Sequence, residues 1–268
     1  MLGRCRRQAL AGVQALRGFP ARRDCFWVRS PLWRTKAEGR GCCGNIRHSH
    51  SDGALRERFM IAVIDYRAGN LASVARALDY LGQPWVITKD AEVVRRAERV
   101  IFPGVGAAGA AMANLRESNL DTVIREAYAS GRPFLGICLG TQVILDYSEE
   151  DDTPCLGIIR GTTRQFPRPL RDRDGHALKI PHMGWNRVLF GKERHLLMAG
   201  IEPESEFYFV HSFYPDPADA EMVQGRTEYG ISFPALLACG HLAAVQFHPE
   251  KSGKPGLKLL ENFCRWRW

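Results

Sequence analysis

From Met60 onward the apolar residues fall in short bursts separated by helical spacing. Ile61–Ile64 is an unbroken apolar run closed by Asp65-Tyr66, which marks a strand buried on both faces. Leu71, Val74, Ala75, Leu78 and Leu81 then recur at helical intervals, with Asn70 as a candidate cap and Gly82 as the stop. Pro84–Thr88 reads as a second strand, and Asp90 caps a short helix to about Ala97. Val100–Phe102 is a third strand. Helical stretches follow around Ala110–Leu115 and Leu120–Ser130, then a fourth strand, Phe134–Ile137, and a helix from about Leu139 to Tyr147. Alternating strands and helices predict a parallel sheet covered on both faces. Beyond Asp151 the pattern turns mostly to β, with strands expected at Leu156–Phe166, Arg187–Phe190, Phe207–Tyr214, Met222–Arg226, Leu236–Ala238 and Ala243–Phe247. A closing helix opens at Pro255.

Charge divides the chain at the same place. The overall balance of +8 suggests a nucleic-acid partner until it is split. Residues 1–59 carry 13 basic and four acidic side chains, and residues 60–268 carry 24 and 25. The near-neutral 60–268 portion gives no electrostatic reason to expect a phosphate-backbone partner. Residues 1–59 show no sustained period and are expected to be a disordered basic leader or an upstream-start extension. They fit a secretory signal or a Ser-rich transit peptide poorly, and Cys42, Cys43, His48 and His50 lack the usual zinc-site pairing. No apolar run approaches the roughly 18–20 residues of a membrane span. The four scattered cysteines of residues 60–268 do not resemble a disulfide framework, so a reducing, cytoplasmic setting is expected.

Candidate chemistry lies at the predicted strand ends, where such sheets place their sites. Gly136-Ile137-Cys138-Leu139-Gly140 joins the fourth strand to its helix as a nucleophile elbow, with Cys in the Ser position. A helix N-terminus behind the thiol favours the thiolate. His248-Pro249-Glu250 follows the last parallel-type strand and supplies a base and an orienting acid, expected on one side of an extended backbone. Pro103-Gly104-Val105-Gly106-Ala107-Ala108-Gly109 matches a dinucleotide fingerprint, but it sits in the third strand–helix unit and has no acid-terminated strand about 20 residues on. Its glycine amides suit an oxyanion instead. No cofactor and no metal are expected.

In this order, Pro-Gly-Val-Gly, Gly-Ile-Cys-Leu-Gly-x-Gln and His-Pro-Glu-Lys-Ser resemble a class I (triad) glutamine amidotransferase. Asp65-Tyr66-x-Ala-Gly69-Asn70, Pro181–Asn186 and Tyr208–Ser212 narrow the resemblance to the HisH glutaminase subunits of imidazole glycerol phosphate synthase, over Met60 to about Trp266. The resemblance implies a flavodoxin-like α/β fold with added β-strands. It implies Cys138 as nucleophile, His248 as base and acid, and Glu250 as orienting carboxylate. Gly104, Val105, Gly106 and Leu139 would form the oxyanion hole, and Gln142, Glu150, His211 and Ser212 would bind glutamine. Asn70, Trp185, Tyr208 and Lys251 would meet a HisF-type (β/α)8 cyclase that receives the ammonia. Arg67 in the place of a family glycine, Thr141 and Phe213 depart from the pattern. Another class I glutaminase, or a non-catalytic relative with a reactive cysteine, are the rival readings; the second would not need His248 and Glu250.

Overall fold

The computed structural model describes residues 60–267 except 68, 70 and 192–194. The expected leader, residues 1–59, and Asn70 lie outside the described residues. The apolar bursts do form a parallel sheet. β1 (Ile61–Ile64), β2 (Trp85–Thr88), β3 (Arg99–Gly104), β4 (Phe134–Cys138) and β14 (Leu242–Val245) run parallel in the order β2-β1-β3-β4-β14. β13 (Ile231–Cys239), β12 (Val223–Tyr229) and β9 (Leu189–Phe190) extend the sheet in antiparallel fashion to eight strands. The parallel order is flavodoxin-like, with the fifth strand supplied from near the end of the chain.

Strand alternation sorts the core into two layers. Ile61 and Val63 face one side with Val74 and Leu78 of α1 (Leu71–Tyr80) and Leu259, Leu260 and Phe263 of α6 (Gly253–Arg265). Ala62 and Ile64 face the other, against α2 (Ala91–Arg96), α3 (Ala108–Glu117), α4 (Leu120–Ala129) and α5 (Leu139–Val143). Asp90 caps α2 as expected, its side chain accepting from the Glu92 amide. Two small sheets complete the molecule. One pairs β8 (His182–Arg187) with β10 (Glu206–His211); the other is β11 (Phe213–Pro217), β7 (Gly161–Gln165), β5 (Tyr147–Ser148) and β6 (Thr153–Pro154).

Several expected elements differ. The helix after Cys138 ends at Val143 rather than Tyr147, because the Leu156, Ile158 and Ile159 amides fold back onto the Val143 and Ile144 carbonyls. Leu156 and Ile159 are therefore buried against that helix end rather than in a strand, and the strand expected over Leu156–Phe166 shrinks to β7. The strand expected over Phe207–Tyr214 is two strands in different sheets, broken at Ser212. β8 begins at His182, ahead of the strand expected over Arg187–Phe190, and places Trp185 opposite Tyr208.

Candidate active site

Three strand ends converge at the carboxyl edge of the parallel sheet, beside the point where strand order reverses between β1 and β3. The end of β4 delivers Cys138 at φ 53°, ψ −108°, a strained turn between strand and helix. Gly140 leaves room for that turn, since a Cβ there would lie 1.9 Å from the Phe102 carbonyl oxygen of β3. Close packing of α5 on β3 thus sets the height of the cysteine.

Beyond β14, the His248-Pro249-Glu250 segment is a 3₁₀ turn over Pro249–Lys251, not the extended stretch expected from the i, i+2 spacing. Pro249 is pre-set for the first helical position, which tightens the turn. The turn still unites the pair: His248 Nδ1 lies 2.7 Å from Glu250 Oε1, and both side chains are buried. His248 Nε2 is buried without a hydrogen-bond partner among the described residues. Burial alone pushes the imidazole pKa down, but the Cys138 sulfur and the Glu250 carboxylate outweigh it and raise it to about 10. An imidazolium held by the Glu250 carboxylate follows from that arrangement.

A cleft of about 250 Å³ opens over the cysteine. It is smaller than the roughly 300–1,000 Å³ typical of drug-sized sites, so its scale is that of a small metabolite. Cys138, Leu139, Val105 and Gly106 form one wall, and Gln142, Glu150, His211 and Ser212 complete it with Pro181, Val210 and Phe213. Eight of the expected residues therefore meet in one space. Gln142 is buried rather than solvated helix surface, its Nε2 donating to the Phe213 and Gln246 carbonyl oxygens. Glu150 accepts from the Ala108 amide at the start of α3 (2.8 Å), and burial raises its carboxyl pKa despite that bond. Gly104 lies just beneath the cleft, paired with Cys138 across the β3–β4 ladder, and the buried Tyr66 hydroxyl fills the place a Cβ would take.

His211 stands apart from the other lining residues. Its Nδ1 bonds the Phe213 carbonyl at 2.7 Å and its Nε2 the His182 Nδ1 at 3.0 Å, while His182 Nε2 meets Asn186 Nδ2 at 3.3 Å. Burial lowers the His211 pKa to about 3 and the His182 pKa to about 4, so both are neutral. With both ring nitrogens engaged, His211 can meet a substrate only through its main chain or ring edge.

Of the other expected contacts, Trp185 is exposed and packs edge-on to Tyr208 at 6.0 Å between ring centres. Lys251 Nζ lies 5.9 Å from the Tyr208 ring centre, and that ring is 6.5 Å from the His248 imidazole. Exposed Met183 shares this face. Arg67 does adopt positive φ, 67°, its amide tied to Asp65 Oδ1. Thr141 uses its hydroxyl to bond the Val245 carbonyl.

Two residues escaped the sequence reading. Gln246, a polar residue inside the apolar run Ala243–Phe247, is fully buried and touches Cys138. Gly256, inside α6, approaches the Pro249 carbonyl so closely that a Cβ would lie 1.9 Å from it. A glycine inside an amphipathic helix was the available signal.

Known proteins resemble this chain in sequence and in fold. Residues 62–266 match the model of the glutamine amidotransferase class-I family. The HisH subunit of imidazole glycerol phosphate synthase from Nitratidesulfovibrio vulgaris strain DP4 is 56% identical over 207 residues, covering 77% of this chain and 96% of that one. The HisH subunit of Methylococcus capsulatus is 51% identical over 209 residues, with 77% and 96% covered. Among solved structures, PurLQS from Thermotoga maritima superposes with a TM-score of 0.58 at 18% identity, over 77% of this chain and 97% of that one. A crystal structure of a glutamine amidotransferase gives 0.55 at 19%, over 75% and 98%. The structural matches speak for the fold alone; the sequence matches go further, and by them the chain belongs to the class I glutamine amidotransferases and, within that family, to the HisH subunits of imidazole glycerol phosphate synthase.

Proposed function

We propose that residues 60–268 hydrolyse glutamine through Cys138, His248 and Glu250 and pass the ammonia to a HisF-type (β/α)8 cyclase. The observation that carries this reading is the His248–Glu250 contact of 2.7 Å, with Nε2 left unpartnered and its pKa raised by the elbow cysteine. In the reaction, the Cys138 thiolate attacks the carboxamide carbon of glutamine. The oxyanion collects on amides of the Gly104–Gly106 loop and of Leu139. His248, its tautomer held by Glu250, gives its Nε2 proton to the departing nitrogen, and ammonia leaves a glutamyl thioester. A water then loses a proton to His248 and attacks the thioester, releasing glutamate and restoring the thiolate–imidazolium pair.

Gln142 and Glu150 carry hydrogen-bonding groups on the wall of the same cleft and would hold the amino-acid end of the substrate. The exposed Trp185–Tyr208–Lys251 face, together with Asn70, would seat the cyclase. There the ammonia would convert the phosphoribulosyl-formimino carboxamide intermediate to imidazole glycerol phosphate and an aminoimidazole carboxamide ribotide, a step of histidine biosynthesis. No described helix is long and apolar enough to cross a membrane.

Copurification with a candidate HisF barrel, followed by glutaminase assay of the chain with and without it, tests the reading. The Gly104–Gly106 loop would turn an amide toward the oxyanion only in the complex, and one missing donor costs roughly 3 kcal/mol, about a hundredfold, so the chain alone should be a poor glutaminase. Full activity of the isolated chain would count against dependence on a partner. A chain beginning at Met60 should match the full-length chain in this assay.

A further inference from the structure

We infer that Gln246 is a positioning residue of the nucleophile: its carboxamide N–H stabilises the Cys138 thiolate, and its orientation is dictated through Gln142 by the carbonyl of Phe213. The inference rests on the proposed role of Cys138. Gln246 follows β14, is fully buried, and lies beneath the floor of the cleft. Its Nε2 is 3.7 Å from the Cys138 sulfur, and its Oε1 is 3.1 Å from Gln142 Nε2.

Amide polarity fixes the direction of this chain. A main-chain carbonyl can only accept, so the Gln142 atom 2.9 Å from the Phe213 oxygen must be the nitrogen. That nitrogen has a second proton, which faces Gln246 and requires an oxygen there. The opposite arm of the Gln246 carboxamide is then necessarily an N–H donor, and it faces the sulfur. The His211 Nδ1–H donates to the same Phe213 carbonyl and occupies its other lone pair. Two consequences follow. A hydrogen bond to sulfur is stronger when sulfur carries the charge, so Gln246 favours thiolate over thiol. With both Gln142 protons committed inward, the Gln142 atom left for the cleft is its carbonyl oxygen, which can accept from the α-ammonium of glutamine but cannot donate to the α-carboxylate.

The expected chemistry is therefore specific. Loss of one charge-assisted donor moves a thiol's ionisation by roughly one pH unit. The assay uses the full chain in complex with its cyclase. Iodoacetamide alkylation of the Cys138 peptide is followed by mass spectrometry against pH, alongside kcat and KM for glutamine and ammonium-driven synthesis. Gln246→Glu keeps the shape but sets an acceptor against sulfur; Gln246→Leu removes both arms. Both should move the alkylation midpoint upward by about one unit and lower kcat about tenfold or more, with ammonium-driven synthesis intact as the sign of a folded complex. KM should rise in Gln246→Leu, where Gln142 is released. An unmoved midpoint in both folded variants would overturn the inference, whatever happens to kcat. If instead wild-type Cys138 showed no pH-dependent alkylation and Cys138→Ala still used glutamine, the underlying assignment of the nucleophile would fail.

Discussion

Gly256→Ala separates packing from catalysis at the histidine turn. In an unobstructed helix interior, alanine gains about 1 kcal/mol over glycine. At Gly256 the new methyl would sit 1.9 Å from the Pro249 oxygen and 2.8 Å from Ser252 Cβ. The carbonyl would have to retreat by more than 1 Å to reach even a tight 3.0 Å contact. Overpacking of that kind costs about 1–3 kcal/mol, so the net change is a loss of about 0–2 kcal/mol. For a domain of this size that lowers Tm by up to roughly 8 °C. Function should suffer far more. Pro249 lies between His248 and Glu250, and Ser252 Oγ ties the turn down by donating to the His248 carbonyl and accepting from the Tyr208 amide. A displacement near 1 Å at a reacting group costs on the order of 10²-fold. The assays are thermal unfolding and glutamine kcat in the cyclase complex, with ammonium-driven synthesis as the control for an intact partner. A variant with raised Tm and unchanged glutamine turnover would refute the reasoning, because it would mean that α6 does not press on the turn.

Other outcomes follow from single sites. Arg67→Gly should hold or raise stability by up to about 1 kcal/mol, since a left-handed L-residue costs about 1–2 kcal/mol and the exposed Arg67–Glu117 pair at 3.4 Å contributes little; denaturant melts showing a loss above 1 kcal/mol would contradict this. Acid should destabilise the fold through His182 and His211. Their folded pKa values lie below the unfolded 6.5, so the unfolded chain binds more protons and stability falls as pH drops from about 6.5 toward 4. Each such histidine steepens the slope by up to about 1.4 kcal/mol per pH unit. Urea melts of His182→Gln between pH 6.5 and 5 should show a shallower dependence than the parent, and an equal one would remove these histidines from the account.

Much of this was legible in the sequence because buried parallel strands are short, apolar and bounded. β1, β3, β4 and β14 stood out for that reason; the elbow fell at the end of β4 and His248-Pro249-Glu250 just beyond β14. What escaped depended on contacts between distant segments. Apolar spacing continues through Ser212, so nothing local reveals that β10 and β11 belong to different sheets. Leu156 and Ile159 are apolar because they cover a helix end, which a strand-like run imitates. Gln246 and Gly256 matter through Cys138 and Pro249 respectively, and neither relation exists until the chain is folded. Trp185 stands on a strand of a two-stranded ribbon, where one face remains open, and no local pattern marks that ribbon.

The nucleophile is tested most directly by Cys138→Ala in complex with the cyclase, supplied in turn with glutamine and with ammonium salt. Loss of a triad nucleophile costs on the order of a millionfold in turnover. The complex should make no product from glutamine yet still make it from ammonium, faster at high pH where NH3 is abundant, while alanine at Cys155, Cys239 or Cys264 leaves glutamine use intact. Continued turnover of glutamine by the Cys138→Ala complex would contradict the account.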